Sequence, residues 1–371
     1  MREPLRLLLI GADPPIHFRL LTELVGQVPE LELAGLALSH EDADERALLQ
    51  ETAQRLGVPF YENVAAGLKT ANAVVHLGPY GLRGRVLLEL LTAPELRVLL
   101  VDKPLAISRP DLELVERSLL VRPDVAVWPL LSLRADARYR LVQRLYAAGL
   151  VGEARKITAT RPHRLGSRPR WFFQRGLYPS IVADLCVHDV DAVRFLTGLE
   201  ITSVEGTYEV VRPTEGRLLP VFGSITLWLE NQAVAHLTAD WLTFPTAPYH
   251  GACTFEIGGL VGRILLVTDG AGRGLWVESS HRAAEKRLRT ALAAEPETSS
   301  WEWQREGGEP QYFRIFIPPT DYGADFRTLL RAFLAPPEEQ PAWLPTAADL
   351  LRATRPVVGE AEPAGSSFTT G

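Results

Sequence analysis

The sequence predicts an α/β protein of two domains. The N-terminal domain is built on a doubly wound parallel sheet. The C-terminal domain is α+β, with a large open, mostly antiparallel sheet. Three observations carry this. The chain has 371 residues, more than one hydrophobic core usually supports. Up to about residue 122, short apolar runs alternate with amphipathic stretches of helical period, the pattern of parallel strands covered by helices. After Gly198 the apolar residues instead alternate with polar ones over several consecutive runs, which suits strands with one buried face.

Taken in order, "LRLLLI" (5–10) reads as a buried strand, followed by Gly11 and a helix to about Val25. "LELAGLALS" (31–39) is a second strand. A helix opens near Asp42, a good N-cap residue, and stops at Gly57. "ANAVVHLG" (71–78) is a third strand, "RGRVLLELLT" a helix, and "LRVLLVDKP" (96–104) a fourth strand with a helix after Pro110. "DVAVWPLLS" (124–132) adds an edge strand to this sheet. A long helix then spans 134–152, "EARKITATRPHR" is a strand, and a helix carries "DLCVHDVD" (184–191). The runs "ITSVEGTYEVVR", "VFGSITLWLE", "AVAHLTADWLTF", "ACTFEIGG" and "GRILLVTD" form the β-rich part, and helices return at 322–334 and 345–356. The domain boundaries follow: 1–122, 123–356 and a small, polar tail at 357–371.

Composition excludes several classes. Net charge is −6, from 39 basic and 45 acidic residues, with no long basic run, so a nucleic-acid partner is not expected. Cys186 and Cys253 are the only two cysteines, too few for a disulfide framework or a Cys-rich zinc site, and a reducing cytoplasm fits. The apolar run Leu7–Ile10 is too short for a signal peptide. No run approaches the roughly 18 apolar residues of a membrane span, so no membrane partner is expected.

Four stretches carry chemistry. In "LLLIGADPPIH", Gly11 stands where a phosphate-cradling loop would begin, but Asp13 takes the second glycine position and Pro14-Pro15 remove two backbone donors. The turn reads equally as a plain strand-to-helix connection. At the end of the second strand, Ser39 and His40 replace the acid that usually holds a ribose hydroxyl, a change that tolerates a 2′-phosphate. "VDKP" puts Lys103 at the carboxyl end of a parallel strand, where open α/β sheets bind ligands. In "DLCVHDVD", Asp184, His188 and Asp191 share one helix face. That stripe can face water, bind a metal or perform acid–base work. Histidine titrates near neutrality and a neighbouring carboxylate tunes it. Without a further His/Cys cluster, a metal is the weakest of the three.

Together these residues resemble the Gfo/Idh/MocA family of NAD(P)-dependent oxidoreductases. The resemblance rests on Gly11 after the first strand, "DKP" at 102–104 where the family has Glu-Lys-Pro, "DLCVHDVD" at 184–191 where it has Asp-x-x-x-His-x-x-Asp, and the β-rich second half. It implies a Rossmann domain that holds NAD or NADP and a second domain whose sheet makes a homo-oligomer, a dimer or tetramer. It implies catalytic roles for Lys103, Asp184 and His188, with Asp191 structural. The implied cofactor residues are Gly11, Asp13, Ile16, Ser39, His40, Gly78, Pro79, Arg83, Asp102 and Lys103. Arg134, Arg164 and Trp171 are implied on the substrate side, and no metal is. The chain departs from the family at the glycine loop, at Asp102, at Arg83 where a histidine is usual, and at "YPSIVAD" before the catalytic helix.

The loop 161–180 carries Arg161, His163, Arg164, Arg168, Arg170 and Arg175 around Trp171, Phe172 and Phe173. It reads as a solvated loop with an aromatic anchor, or as a place where one or two arginines bind an anionic group. The expected function is hydride transfer between nicotinamide and a secondary alcohol or ketone of a sugar, polyol or hydroxy acid. The alternative is a non-catalytic ligand-binding or regulatory protein on the same scaffold, with weak or lost dinucleotide binding.

Overall fold

A computed structural model describes residues 4–358 except 26, 175, 179, 215, 216, 308, 309 and 320; Arg175 and most of the expected tail lie outside the described residues. The chain divides into two compact units: Met1–Leu130 with Gln174–Pro179 and Thr346–Gly371, and Leu131–Phe173 with Ser180–Pro345.

In the first unit, β1 (Leu5–Ile10), α1 (Pro15–Val25), β2 (Leu31–Ala37), α2 (Ala43–Leu56), β3 (Phe60–Tyr61), α3 (Val64–Leu68), β4 (Ala73–His76), α4 (Tyr80–Leu90), β5 (Val98–Val101), α5 (Arg109–Leu120) and β6 (Ala126–Pro129) follow one another. The strands form one parallel sheet in the order β3-β2-β1-β4-β5-β6. Leu7 to Ile10 and Ala73 to Val75 are fully buried, because helices cover both faces of a parallel sheet. The start of α2 is where the sequence placed it: Asp42 accepts the Asp44 and Glu45 N–H groups, and Gly57 ends the helix in the left-handed conformation. The expected boundary near residue 122 falls before β6, which hydrogen-bonds to β5 and so belongs to this unit. The two-residue β3 and one-turn α3 went unseen in the sequence because they are shorter than any readable period.

In the second unit, α6 (Ala137–Ala147), β7 (Ala154–Pro162), α7 (Val187–Thr197), β8 (Ile201–Thr214), β9 (Arg217–Leu229), β10 (Val234–Asp240), β11 (Thr254–Gly259), β12 (Gly262–Val267), β13 (Gly274–Ser279), α8 (Ala284–Ala293), β14 (Trp303–Arg305), β15 (Gln311–Ile315) and α9 (Tyr322–Leu334) are laid down in turn. The nine strands run β14-β15-β13-β12-β11-β7-β10-β9-β8, antiparallel except for the β7–β10 pair. Alternate residues such as Ala235, Leu237 and Ala239 point into the core, where α6 and α7 lie. The helix expected over 134–152 is shorter. Asp136 caps α6 by accepting the Arg138 N–H, and a turn of 3₁₀ helix precedes it. Finally α10 (Ala347–Thr354) returns the chain to the first unit, where Thr354 Oγ1 accepts the Leu105 N–H at 3.2 Å. No helix among the described residues is long and apolar enough to cross a membrane.

Candidate active site

In the first unit the carboxyl ends of β1, β2, β4 and β5 bring most of the expected cofactor residues together. Gly11 has φ +81, and a Cβ on it would stand 2.1 Å from Leu77 O, so only glycine fits. A Cβ on Gly78 would meet Ser39 Cβ and Oγ at 2.7 Å. Ser39 is tied to Glu45, an acid that the sequence reading overlooked. The Glu45 carboxylate accepts from Ser39 N–H at 3.0 Å and from Ser39 Oγ at 2.8 and 2.9 Å. Its position three residues after Asp42 is where a helix-opening glutamate reaches backwards, and that was the available signal. The hydrogen bond to Glu45 also raises the His40 pKa, against the opposing effect of burial.

Lys103 and Asp102 end β5. The Lys103 ammonium stands 5.5 Å from the centre of the Tyr80 ring, a cation–π distance. Asp102 is wholly enclosed. Its carboxylate accepts the Lys103 N–H at 2.8 Å and lies 3.3 Å from His17 Nδ1. Burial acts to raise its pKa, but His17, Arg83 and Lys103 together hold it well below the usual carboxylate range. Arg83 is also enclosed, and its Nη1 donates to the carbonyls of Lys103 at 2.6 Å and Pro104 at 2.7 Å. Asp102 and Arg83, expected to contact cofactor, therefore hold the Lys-Pro segment in place. Pro79 opens α4.

In the second unit, one turn of π-helix, Val182–Cys186, leads into α7 and contains Asp184. Such turns recur at functional sites. The segment is pinned from β8: Glu209 Oε1 accepts the Ser180 hydroxyl at 2.7 Å and the Val182 N–H at 3.1 Å. From Ile181 to Leu196 every residue is buried except His188. The polar stripe of the sequence thus does not face water, and His188 is its one accessible member. Asp191 binds Arg134 through two hydrogen bonds of 2.9 and 2.6 Å, both side chains being buried. Arg134, expected on the substrate side, is the partner of this helix carboxylate. A second pair, Arg161 with Asp189 at 2.9 and 2.6 Å, also went unrecognised. Its signal was the alternation Ile157, Ala159, Arg161 on β7, which places a guanidinium in the core and demands an anion there. Trp171 is buried against Phe172, and Arg164 Nη1 donates to Pro245 O at 3.0 Å.

Residues 139–265 match the GFO/IDH/MocA C-terminal domain. Similarity to solved structures extends over nearly the whole chain. A Thermotoga maritima protein provisionally described as an oxidoreductase has TM-score 0.73 and 21% identity, over 95% of this chain and 96% of that one. The chain shares that protein's fold, and its residues 139–265 carry the Gfo/Idh/MocA C-terminal domain. The 3-ketoreductase KijD10 from Actinomadura kijaniata, solved with NADP and TDP-benzene, gives TM-score 0.65 and 19% identity, with 95% of each chain covered. A super-repressor mutant of Gal80p from Saccharomyces cerevisiae gives 0.68 and 14%, over 95% and 94%. No functionally curated protein matches the chain by sequence.

A dinucleotide is the group this fold implies, and the first unit fits its two ends unequally. Lys103, Tyr80 and the glycine backbone at Gly78 suit a polar ring. The β1–α1 turn offers a pyrophosphate little. The Gly11 N–H is given to Ala37 O and the Asp13 N–H to Leu77 O, the His17 and Phe18 N–H groups go to Pro14 O, and Pro14 and Pro15 have none. Ala12 and Ile16 carry the turn's remaining N–H groups, beside the Asp13 carboxylate. The group therefore fits, with a weakened phosphate contact.

His76 closes β4, and neither ring nitrogen has a hydrogen-bond partner among the described residues. Burial, aided by Arg83 and His40, pushes its pKa down to about 3. A folded-state value below the unfolded one means that stability is lost as pH falls through 6.5 towards 3. Between pH 7 and pH 5 this loss should be on the order of 2 kcal/mol. His76→Leu should reduce it, measured by urea unfolding at both pH values. An unchanged loss would show that another group is responsible.

Proposed function

We propose that this chain is an NAD(P)-dependent oxidoreductase acting on a secondary alcohol or ketone of a sugar, polyol or related hydroxy acid. The observation that carries the reading is the partial exposure of His188 within Ile181–Leu196, a stretch whose other residues are all buried. A side chain opened to small molecules at that one position suits proton transfer. When bound, the nicotinamide supplies or accepts the hydride. His188 takes the hydroxyl proton during oxidation and returns it during reduction. Asp184, one turn earlier in the π segment, orients the imidazole and the substrate. Lys103 contributes a cation for the developing alkoxide. The fold and its likeness to KijD10 support the same reaction class.

A second reading has its own support in the β1–α1 turn and in the likeness to Gal80p: a non-catalytic ligand-binding or regulatory protein. Calorimetric titration with NADH and NADPH separates the two. The enzyme reading expects saturable binding of at least one of them. It also expects Asp13→Gly to tighten that binding by roughly tenfold, through removal of a carboxylate near phosphate, an effect of about 1.4 kcal/mol. Absence of binding at millimolar concentration, in both the parent and Asp13→Gly, would favour the regulatory protein.

A further inference from the structure

One cluster in the second unit is not used by the proposed chemistry. Residues His163 and Arg164 run on from β7 between two other stretches of backbone. The His163 N–H donates to Asp240 O and the Arg164 N–H to His250 O, each at 2.8 Å. A Cβ on Gly251 would meet Pro162 O at 1.7 Å, so the two backbones touch closely here. This framework sets His163 and His250 edge to face with ring centres 4.6 Å apart, and places His163 6.1 Å from Trp241. The Arg168 guanidinium lies over Trp241 at 4.6 Å and over Phe172 at 5.1 Å.

The donors in this cluster are underused. Trp241 is 7% exposed, and its Nε1 is buried with no acceptor among the described residues. Arg168 Nε is in the same state. A buried donor without a partner is costly, so two in contact call for a shared acceptor. Among the described residues no carboxylate pairs with Arg164 or Arg168. Asp240, next to Trp241 in the sequence, accepts the Leu242 N–H at 2.9 Å. The field is positive: burial, then Arg168 and Arg164, hold His250 below its ordinary pKa. Aromatic rings under a guanidinium fix its plane and exclude water from one side, which strengthens a hydrogen bond to an anion.

We propose that Arg168 and Trp241, flanked by Arg164 and the His163–His250 pair, form an oxyanion-binding subsite for the carboxylate or phosphate of a small ligand. The inference deepens the proposed function, on which it rests only for calling that ligand a substrate. Within that reading the substrate is a sugar acid or a phosphorylated sugar rather than a neutral polyol.

The test is a titration of ¹⁵N-labelled full-length protein with inorganic phosphate and with acetate, against sodium chloride at matched ionic strength. Of the eight tryptophan indole signals, the one missing from Trp241→Phe should move downfield saturably with phosphate, acetate or both. Whichever anion moves it identifies the source. Arg168→Gln keeps the signal and should weaken the response at least tenfold. If Trp241→Phe fails to fold, the indole signal that moves in the parent and not in Arg168→Gln serves as the readout. No movement beyond that with chloride, or equal movement in Arg168→Gln, would overturn the subsite. The titration contains no dinucleotide, so failure of NADH and NADPH to bind leaves its outcome unaffected.

Discussion

Replacing His188 with alanine should lower turnover at least a hundredfold on whichever sugar or polyol supports dinucleotide reduction, while the protein melts near the parent temperature. A positioned general base contributes roughly 10²–10⁴ in rate, equivalent to about 3–5 kcal/mol of transition-state stabilisation. The cost to the fold should stay at about 1 kcal/mol, because His188 is the one part-exposed residue of Ile181–Leu196 and a typical substitution destabilises by that much. The two readouts together make the result specific. A fall in kcat with an unchanged melt and unchanged dinucleotide binding identifies a chemical role. Turnover equal to the parent would remove His188 from the mechanism and leave the proposed acid–base step without an agent.

Asp191→Asn, three residues further along, should behave in the opposite way. It should destabilise the second unit by about 3–5 kcal/mol, because it leaves the Arg134 guanidinium buried without its anion. For a unit of this size, that corresponds to a fall of roughly 6–20 °C in Tm. Arg134 also lies 5.2 Å from the Phe195 ring, in surroundings that give a lone cation little solvation. The double substitution Arg134→Met with Asp191→Leu should recover most of the loss, since apolar side chains often replace a buried ion pair without net cost. Differential scanning calorimetry of the three proteins decides the matter. If Asp191→Asn melts with the parent and instead weakens ligand binding, Arg134 belongs on the substrate side after all.

The contrast between these two neighbours shows how much of the site the sequence revealed. Spacings of four and three put Asp184, His188 and Asp191 on one face of a helix, and that geometry is local. The sequence could not say what lies opposite that face. Arg134 is 57 residues away from Asp191, and its guanidinium reads the same whether it meets a substrate or a helix carboxylate. The first unit behaves likewise. "VDKP" located the lysine, but the enclosure of Asp102 by His17 and Arg83 depends on three elements distant in sequence.

What the sequence determined by itself was whatever rests on short-range periodicity and backbone chemistry. The parallel sheet, the cap at Asp42, the stop at Gly57 and the loss of two donors at Pro14-Pro15 follow from neighbouring residues alone. Tertiary structure alone decided which partner each charged side chain takes. Arg161 was assigned to Asp189, Glu45 to Ser39 and Arg83 to the Lys-Pro carbonyls, while Arg168 Nε and Trp241 Nε1 have no partner among the described residues. The physical reason is that a long polar side chain reaches across the fold to its partner, and a buried charge takes the partner that solvation demands, wherever in the chain that partner lies.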